Sequence, residues 1–343
     1  MVIEHKQQPG VKVIVRAGIL LVLLFFISLM LGRYQVSLGN MGAVFYARIF
    51  GTECTASEMI QSVILKVRIP RICAAILIGG ALSTAGATYQ GLFKNPMISP
   101  DILGASAGAG FGAAMAILLS LPSVFIQFSA FAFGMMAVGL ACLICKMVSR
   151  GKDALLILVL SGMIVATFFS SLITLLKYVA DPQSKLPEIT YWLMGGLSTV
   201  SAGDVGMMLV PFIIGIVPLF LLRWQLNAMA FGDEEAKAMG LNTKRLRGIY
   251  IVSATLLTAA AVAVCGMIGW IGLVIPHLTR MLVGPNHKYL IPASFLMGGI
   301  FLLLVDDLAR TLFTVEIPLG ILTSIIGAPF FVYLLLKRKK GWV

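Results

Sequence analysis

The chain alternates from end to end between long apolar runs and short polar connections. Runs of roughly twenty apolar residues, enough for a helix to cross a bilayer core of ~30 Å, occupy positions 13–32, 72–91, 100–121, 124–147, 154–176, 203–222, 248–268, 290–308 and 317–336. A tenth, 270–283, is short and carries Pro276, so it reads as a broken helix. A bilayer tolerates such a break only where protein or a water-filled cavity receives the freed backbone groups. The pattern predicts an all-α polytopic membrane protein of about ten transmembrane helices. Residues 1–343 form a single transmembrane domain, with an uncleaved first span, no soluble module and no internal repeat.

Three connections are too long or too patterned to be plain turns: 33–70, 177–202 and 223–247. The last is the most polar stretch, and about 228–247 predicts a short helix pair. Asp233, Glu234 and Glu235 suit the positive first turn of a helix, and Ala236 to Met239 continue it. Gly240 is a natural C-terminal stop, and Asn242 or Thr243 can cap a second short helix through Leu246. Met229, Phe231, Ala236, Met239 and Leu241 would give the pair an apolar side. Acidic residues are repelled by anionic lipid, so a protein partner fits this surface better than the membrane does.

Composition sharpens the class. Of 343 residues, 59% are hydrophobic and 12% charged, which excludes both a soluble globule and a disordered chain. The net charge of +12 comes from basic residues scattered between apolar runs, not gathered on one face, so nucleic acid is excluded as a partner. Ten crossings with the N-terminus inside put 18 of the 26 Lys and Arg on the inner side, among them Lys6, Arg150, Lys152 and the 337–340 cluster. The positive-inside rule therefore predicts N-in, C-in, with the 228–247 pair cytoplasmic. Five scattered cysteines read as small buried hydrophobes, Cys142-x-x-Cys145 included. No phosphate-binding loop, nucleophile–base set, metal-ligand cluster or acid well inside a span is present, so no cofactor is expected and the chain is not an enzyme. An ion-coupled carrier working alone is disfavoured by the same lack of intramembrane acids. Transport powered by a separate subunit survives best.

Three further patterns carry candidate chemistry. Thr167, Ser170, Ser171 and Thr174 fall at i, i+3, i+4 and i+7, one hydroxyl stripe that suits a wet, uncharged pathway wall, with helix packing as its alternative. Small residues from Gly79 to Gly110 allow close helix approach, and Asn95-Pro96 within them predicts an irregular turn. Asp306, Asp307 and Arg310 have local salt-bridge spacing.

These residues resemble the permease subunits of ABC importers for iron-siderophores, haem and cobalamin. The matching pieces are Arg68-Ile-Pro-Arg71, Gln90 to Gly110, Tyr191 to Gly196, Gly266 to Arg280, and Glu316-Ile-Pro-Leu-Gly320 through Phe330. The resemblance implies a dimer, with a second copy or a paralogue, around one pathway. It also implies two ATP-binding subunits below and an external substrate-binding protein above. By the same resemblance, Phe231, Gly232, Asp233, Glu234, Ala236, Met239, Gly240 and Leu241 couple to the ATPase. Asn95, Pro96 and Met97 close an inner gate with Leu155 and Leu156. Arg68, Arg71 and Arg310 form an external docking patch for acidic residues of the binding protein. A ferric siderophore is the expected cargo, with haem, cobalamin and molybdate as alternatives, and the cytoplasmic (inner) membrane of a bacterium or archaeon is the expected location.

Overall fold

The computed structural model describes residues 9–32, 34–149 and 154–336, and each of the ten apolar runs contains a helix. Lys6, Arg33, Arg150, Lys152 and the 337–340 cluster, which enter the charge count above, lie outside the described residues. The chain opens with α1 (Pro9–Met30) and the short α2 (Leu38–Phe50). Then α3 (Glu58–Ser62) runs through a widened π-helical turn into α4 (Ile69–Leu92). A single 3-10 turn at Pro100–Leu103 leads into α5 (Ala105–Leu118), so the third apolar run begins with a turn and not a full helix. Next come α6 (Ser123–Val148), α7 (Ala154–Val179), α8 (Lys185–Met194) and α9 (Ala202–Leu221). The polar connection holds α10 (Arg223–Phe231) and α11 (Asp233–Ala238). The chain finishes with α12 (Thr243–Cys265), α13 (Ile271–Val283), α14 (His287–Thr311) and α15 (Leu319–Leu336). By length and composition α1, α6, α7, α9, α12 and α14 can each cross a membrane, while α5, α13 and residues 319–333 are shorter apolar helices.

The bundle is organised around α4, which is buried over almost its whole length. Its small residues make that possible. A side chain at Gly79 would meet the Gly298 carbonyl of α14 at 2.2 Å, so the two backbones touch there. About two turns further on, a Cβ at Gly86 would lie 1.8 Å from the carbonyl oxygen of Gly272 in α13. Between helices in lipid there is no hydrophobic drive to associate, and close backbone packing of this kind replaces it. On the periphery α1, α6, α7 and α9 leave large side chains such as Ile19, Phe128, Ile164 and Ile213 exposed.

The structure corrects two readings of the sequence. Pro276 does not break its helix: α13 runs through it. Proline has no N–H to offer the carbonyl four residues earlier, and that carbonyl, Gly272, is the one lying against Gly86 of α4. The break falls instead at 266–270, where Gly266 (φ 72°) and Trp270 (φ 70°) both take left-handed backbone. Beside it the ends of three helices meet, with Gly196 N–H after α8 donating to the Cys265 carbonyl of α12 (2.8 Å) and Leu319 N–H of α15 to the Gly195 carbonyl (2.9 Å). Secondly, the segment after Gly240 is not a separate short helix. Asn242 caps α12 itself, accepting from Arg245 N–H at 3.0 Å, and the helix continues to Cys265.

Candidate functional site

At the end of α4 the chain turns sharply. Asn95 N–H donates to the Gln90 carbonyl (3.2 Å), and the Asn95 side chain accepts from Met97 N–H at 2.9 Å, so the amide closes a local turn over Pro96. Asn95 and Met97 thereby face the start of α7, and a cavity of about 310 Å³ opens between them. Its lining includes Asn95, Met97, Ile98, Leu155, Leu156 and Val159. Four of the five gate residues expected from the resemblance are thus brought together. Pro96 supports the turn without lining the cavity.

From this cavity one face of α7 runs the length of the helix. Leu156, Leu160, Met163, Thr167, Ser170 and Thr174 alternate at four- and three-residue spacing and are all exposed. The face is apolar beside the cavity and hydroxylated towards the other end. Thr167, Ser171 and Thr174 donate to the carbonyls of Met163 (2.9 Å), Thr167 (3.0 Å) and Ser170 (3.0 Å). Their protons are therefore satisfied within the helix, while the oxygens still offer lone pairs outward.

The polar connection forms an elbow at the same end of the bundle, since a Cβ at Gly91 near the end of α4 would meet Leu226 of α10 at 3.2 Å. α10 ends at Gly232 (φ 152°), and α11 follows with its three acids in the first turn. Arg247 of α12 donates to both carboxylate oxygens of Asp233 at 2.9 and 2.8 Å, bracing α11 against the next helix. Gly240 (φ 80°) then reverses the chain into the Asn242 cap. Tyr250 of α12 donates its hydroxyl to the Leu222 carbonyl at 2.8 Å and fixes the elbow's root. The apolar side expected of this segment is split between two directions. Met229 and Ala236 point into the core, Ala236 with no exposure at all, and Leu241 is half-buried. Phe231 and Met239 stand outward at 78% and 49% exposure, with Glu234 exposed between them.

The opposite end of the bundle holds the three arginines assigned to docking, Arg68, Arg71 and Arg310. They are only 4–6% exposed, and each makes hydrogen bonds within the chain. Arg71 binds Asp306 through Nε and Nη2 (3.0 and 2.8 Å) and Glu316 through Nη1 and Nη2 (3.1 and 2.9 Å). Arg310 pairs with Asp307 and donates to the Ser28 carbonyl at 2.8 Å. Arg68 donates to the backbone carbonyls of Leu29 and Tyr34. The cluster laces α1, α4 and α14 together rather than offering free cations to an outside partner. The local pairs of Arg310 with Asp306 and Asp307 follow their spacing, as expected. Ser28 and Glu316 had no local signal, because their partners lie on helices distant in sequence.

A model of the FecCD transport family matches residues 20–337. The chain is 40% identical over 332 residues to the molybdate import system permease protein MolB of Haemophilus influenzae, covering 96% of this chain and 97% of that one. It is 41% identical over 277 residues to a Helicobacter pylori protein named as an iron chelatin transport system permease, covering 81% and 83% of the two chains. Among solved structures, a metal-chelate type ABC transporter in an inward-facing conformation superposes with a TM-score of 0.85 at 38% identity. That match covers 95% of this chain and 99% of the other.

Proposed function

The chain belongs to the FecCD transport family and is an ABC importer permease for metal chelates or related substrates, and from that premise we propose that it forms half of the pathway of a ferric-siderophore importer. The observation that carries this reading is the exposed face of α7. It begins at the cavity beside Asn95 and Met97 and ends in hydroxyls. Two such faces, from two copies or from a copy and a paralogue, enclose one uncharged channel. A bulky chelate can pass such a wall without being held, whereas tight binding inside it would stop release. The apolar cavity end serves as the inner gate.

In this reading the N-terminus is cytoplasmic, and the α10–α11 elbow faces the cytoplasm. Phe231 and Met239 then seat in a cleft of an ATP-binding subunit, which hydrolyses ATP on behalf of the permease. An external binding protein delivers the chelate at the opposite end. Docking there falls to surface groups around the buried arginine cluster, of which Glu316, with a side chain 27% exposed, is the cluster's own outward member.

Reconstitution with the ATP-binding and binding-protein subunits tests the proposal. ATP-dependent, vanadate-sensitive uptake of a labelled ferric siderophore into proteoliposomes is expected. A second reading, molybdate, is favoured by the near full-length match to MolB. Saturable uptake of labelled molybdate with no siderophore uptake would establish that reading in place of the first. Uptake without any ATP-binding subunit would overturn both.

A further inference from the structure

We propose that α2 is an interfacial helix, lying in the headgroup region of the bilayer and anchoring the outer flank of α1 to lipid. At 13 residues it is about 20 Å long, too short to cross the membrane. It is a self-contained element, with Ser37 accepting from Asn40 N–H at its start and Gly51 closing it in left-handed backbone. Its inner side is accounted for by Met41 and Val44, which are buried in the main core. Its outer side is not. Leu38, Tyr46, Ile49 and Phe50 fall on one arc of roughly 120° at helical spacing, and all four are 59–73% exposed. The Tyr46 and Phe50 rings pack against each other at 4.7 Å, which gives that arc an aromatic edge.

Two observations make lipid the occupant. The helix hangs from α1, a peripheral element whose own outward side chains, Ile19 and Phe26 among them, are exposed along the span. The chemistry also matches, because the arc carries aliphatic and aromatic groups and no charge, while Arg48 lies off it. Tyrosine and phenylalanine beside aliphatic anchors suit the boundary between headgroups and acyl chains. The placement rests on α1 being a membrane span, and it is independent of the cargo and of which side is cytoplasmic.

The test uses the full permease in proteoliposomes, with a bimane label at Ile49→Cys or at Arg48→Cys, each combined with Cys54→Ser, and Cys54→Ser alone as the labelling blank. A nitroxide phospholipid labelled near its carbonyl should quench the Ile49 site at least about twofold more than the Arg48 site. Aqueous iodide should show the reverse order, and added binding protein should change neither. Equal iodide quenching at the two sites, or shielding of the Ile49 site only when binding protein is added, overturns the proposal. As a label-free check, Ile49→Asp with Phe50→Asp should narrow the difference in thermal midpoint between lipid and detergent. An unchanged difference would also overturn it.

Discussion

Asp306 has no exposed side-chain surface and takes hydrogen bonds from Arg71 at both carboxylate oxygens. Arg310 Nε lies 3.7 Å from its Oδ2. Replacing Asp306 with asparagine keeps the shape but removes the one fully buried charge between Arg71 and Arg310, leaving Arg71 to the partly exposed Glu316 and Arg310 to Asp307. Removing one partner of a buried pair costs about 3–5 kcal/mol, so Asp306→Asn should melt far below the native protein in detergent. Glu316→Gln should cost less than about 1 kcal/mol, because its side chain is partly solvated and Asp306 still neutralises Arg71. Equal losses for the two variants would show that the cluster is not organised around Asp306. The elbow gives a second contrast between neighbouring residues. Phe231→Asp changes a side chain that touches little of its own chain, so folding should be unchanged while uptake and transport-stimulated ATP hydrolysis fall together. Ala236→Arg forces a charge into a fully buried position and should destabilise the permease itself. Thermal melting beside uptake separates the two.

At the scale of elements, the packing of α4 is set by backbone contact rather than by interlocking large side chains. Gly86 is the tightest point, because its obstacle is the Gly272 carbonyl and backbone cannot rotate away. Gly86→Val should therefore abolish accumulation of folded permease. Gly18→Val on α1, which meets nothing within 4 Å, should stay within about 0.5 kcal/mol of the native protein. The same contact shows what the sequence could and could not reveal. Ten apolar runs announced ten helical segments because lipid demands them, and the acids before Gly240 announced α11 because local capping rules suffice. Pro276 misled because the carbonyl it leaves free, that of Gly272, packs against Gly86 of α4, 186 positions away in sequence, where only a glycine leaves room. Trp270, whose left-handed backbone makes the real break, has no compositional mark. The burial of the arginines was illegible for a related reason. Arg71 is paired by Asp306 and Glu316, and Arg68 is held by the carbonyls of Leu29 and Tyr34, all of them more than thirty residues from their partner in sequence. Leu155 and Leu156 were found through the family pattern, since no spacing links them to Asn95.

For the whole molecule, the decisive question is whether the cavity and the elbow move as one machine. Both lie at the same end, and both are built on α4 and its neighbours, with α10 against Gly91 and the Asn95 turn following directly from the end of α4. A displacement of the elbow by ATP binding therefore bears on the turn that presents Met97 to α7. Met97 is 48% and Leu156 61% exposed here, so cysteines at either position should react with a water-soluble maleimide added on the elbow's side of the membrane. In vesicles carrying the assembled importer, labelling at these positions should differ by roughly tenfold between nucleotide-free and vanadate-trapped states, the change that a bias of about 1.4 kcal/mol produces. Phe231→Asp should erase that difference while leaving nucleotide-free labelling as it was, because only the contact that carries the bias is lost. Labelling that ignores nucleotide in the native elbow would separate the cavity from the transport cycle. Labelling that still responds to nucleotide in Phe231→Asp would move the coupling contact elsewhere.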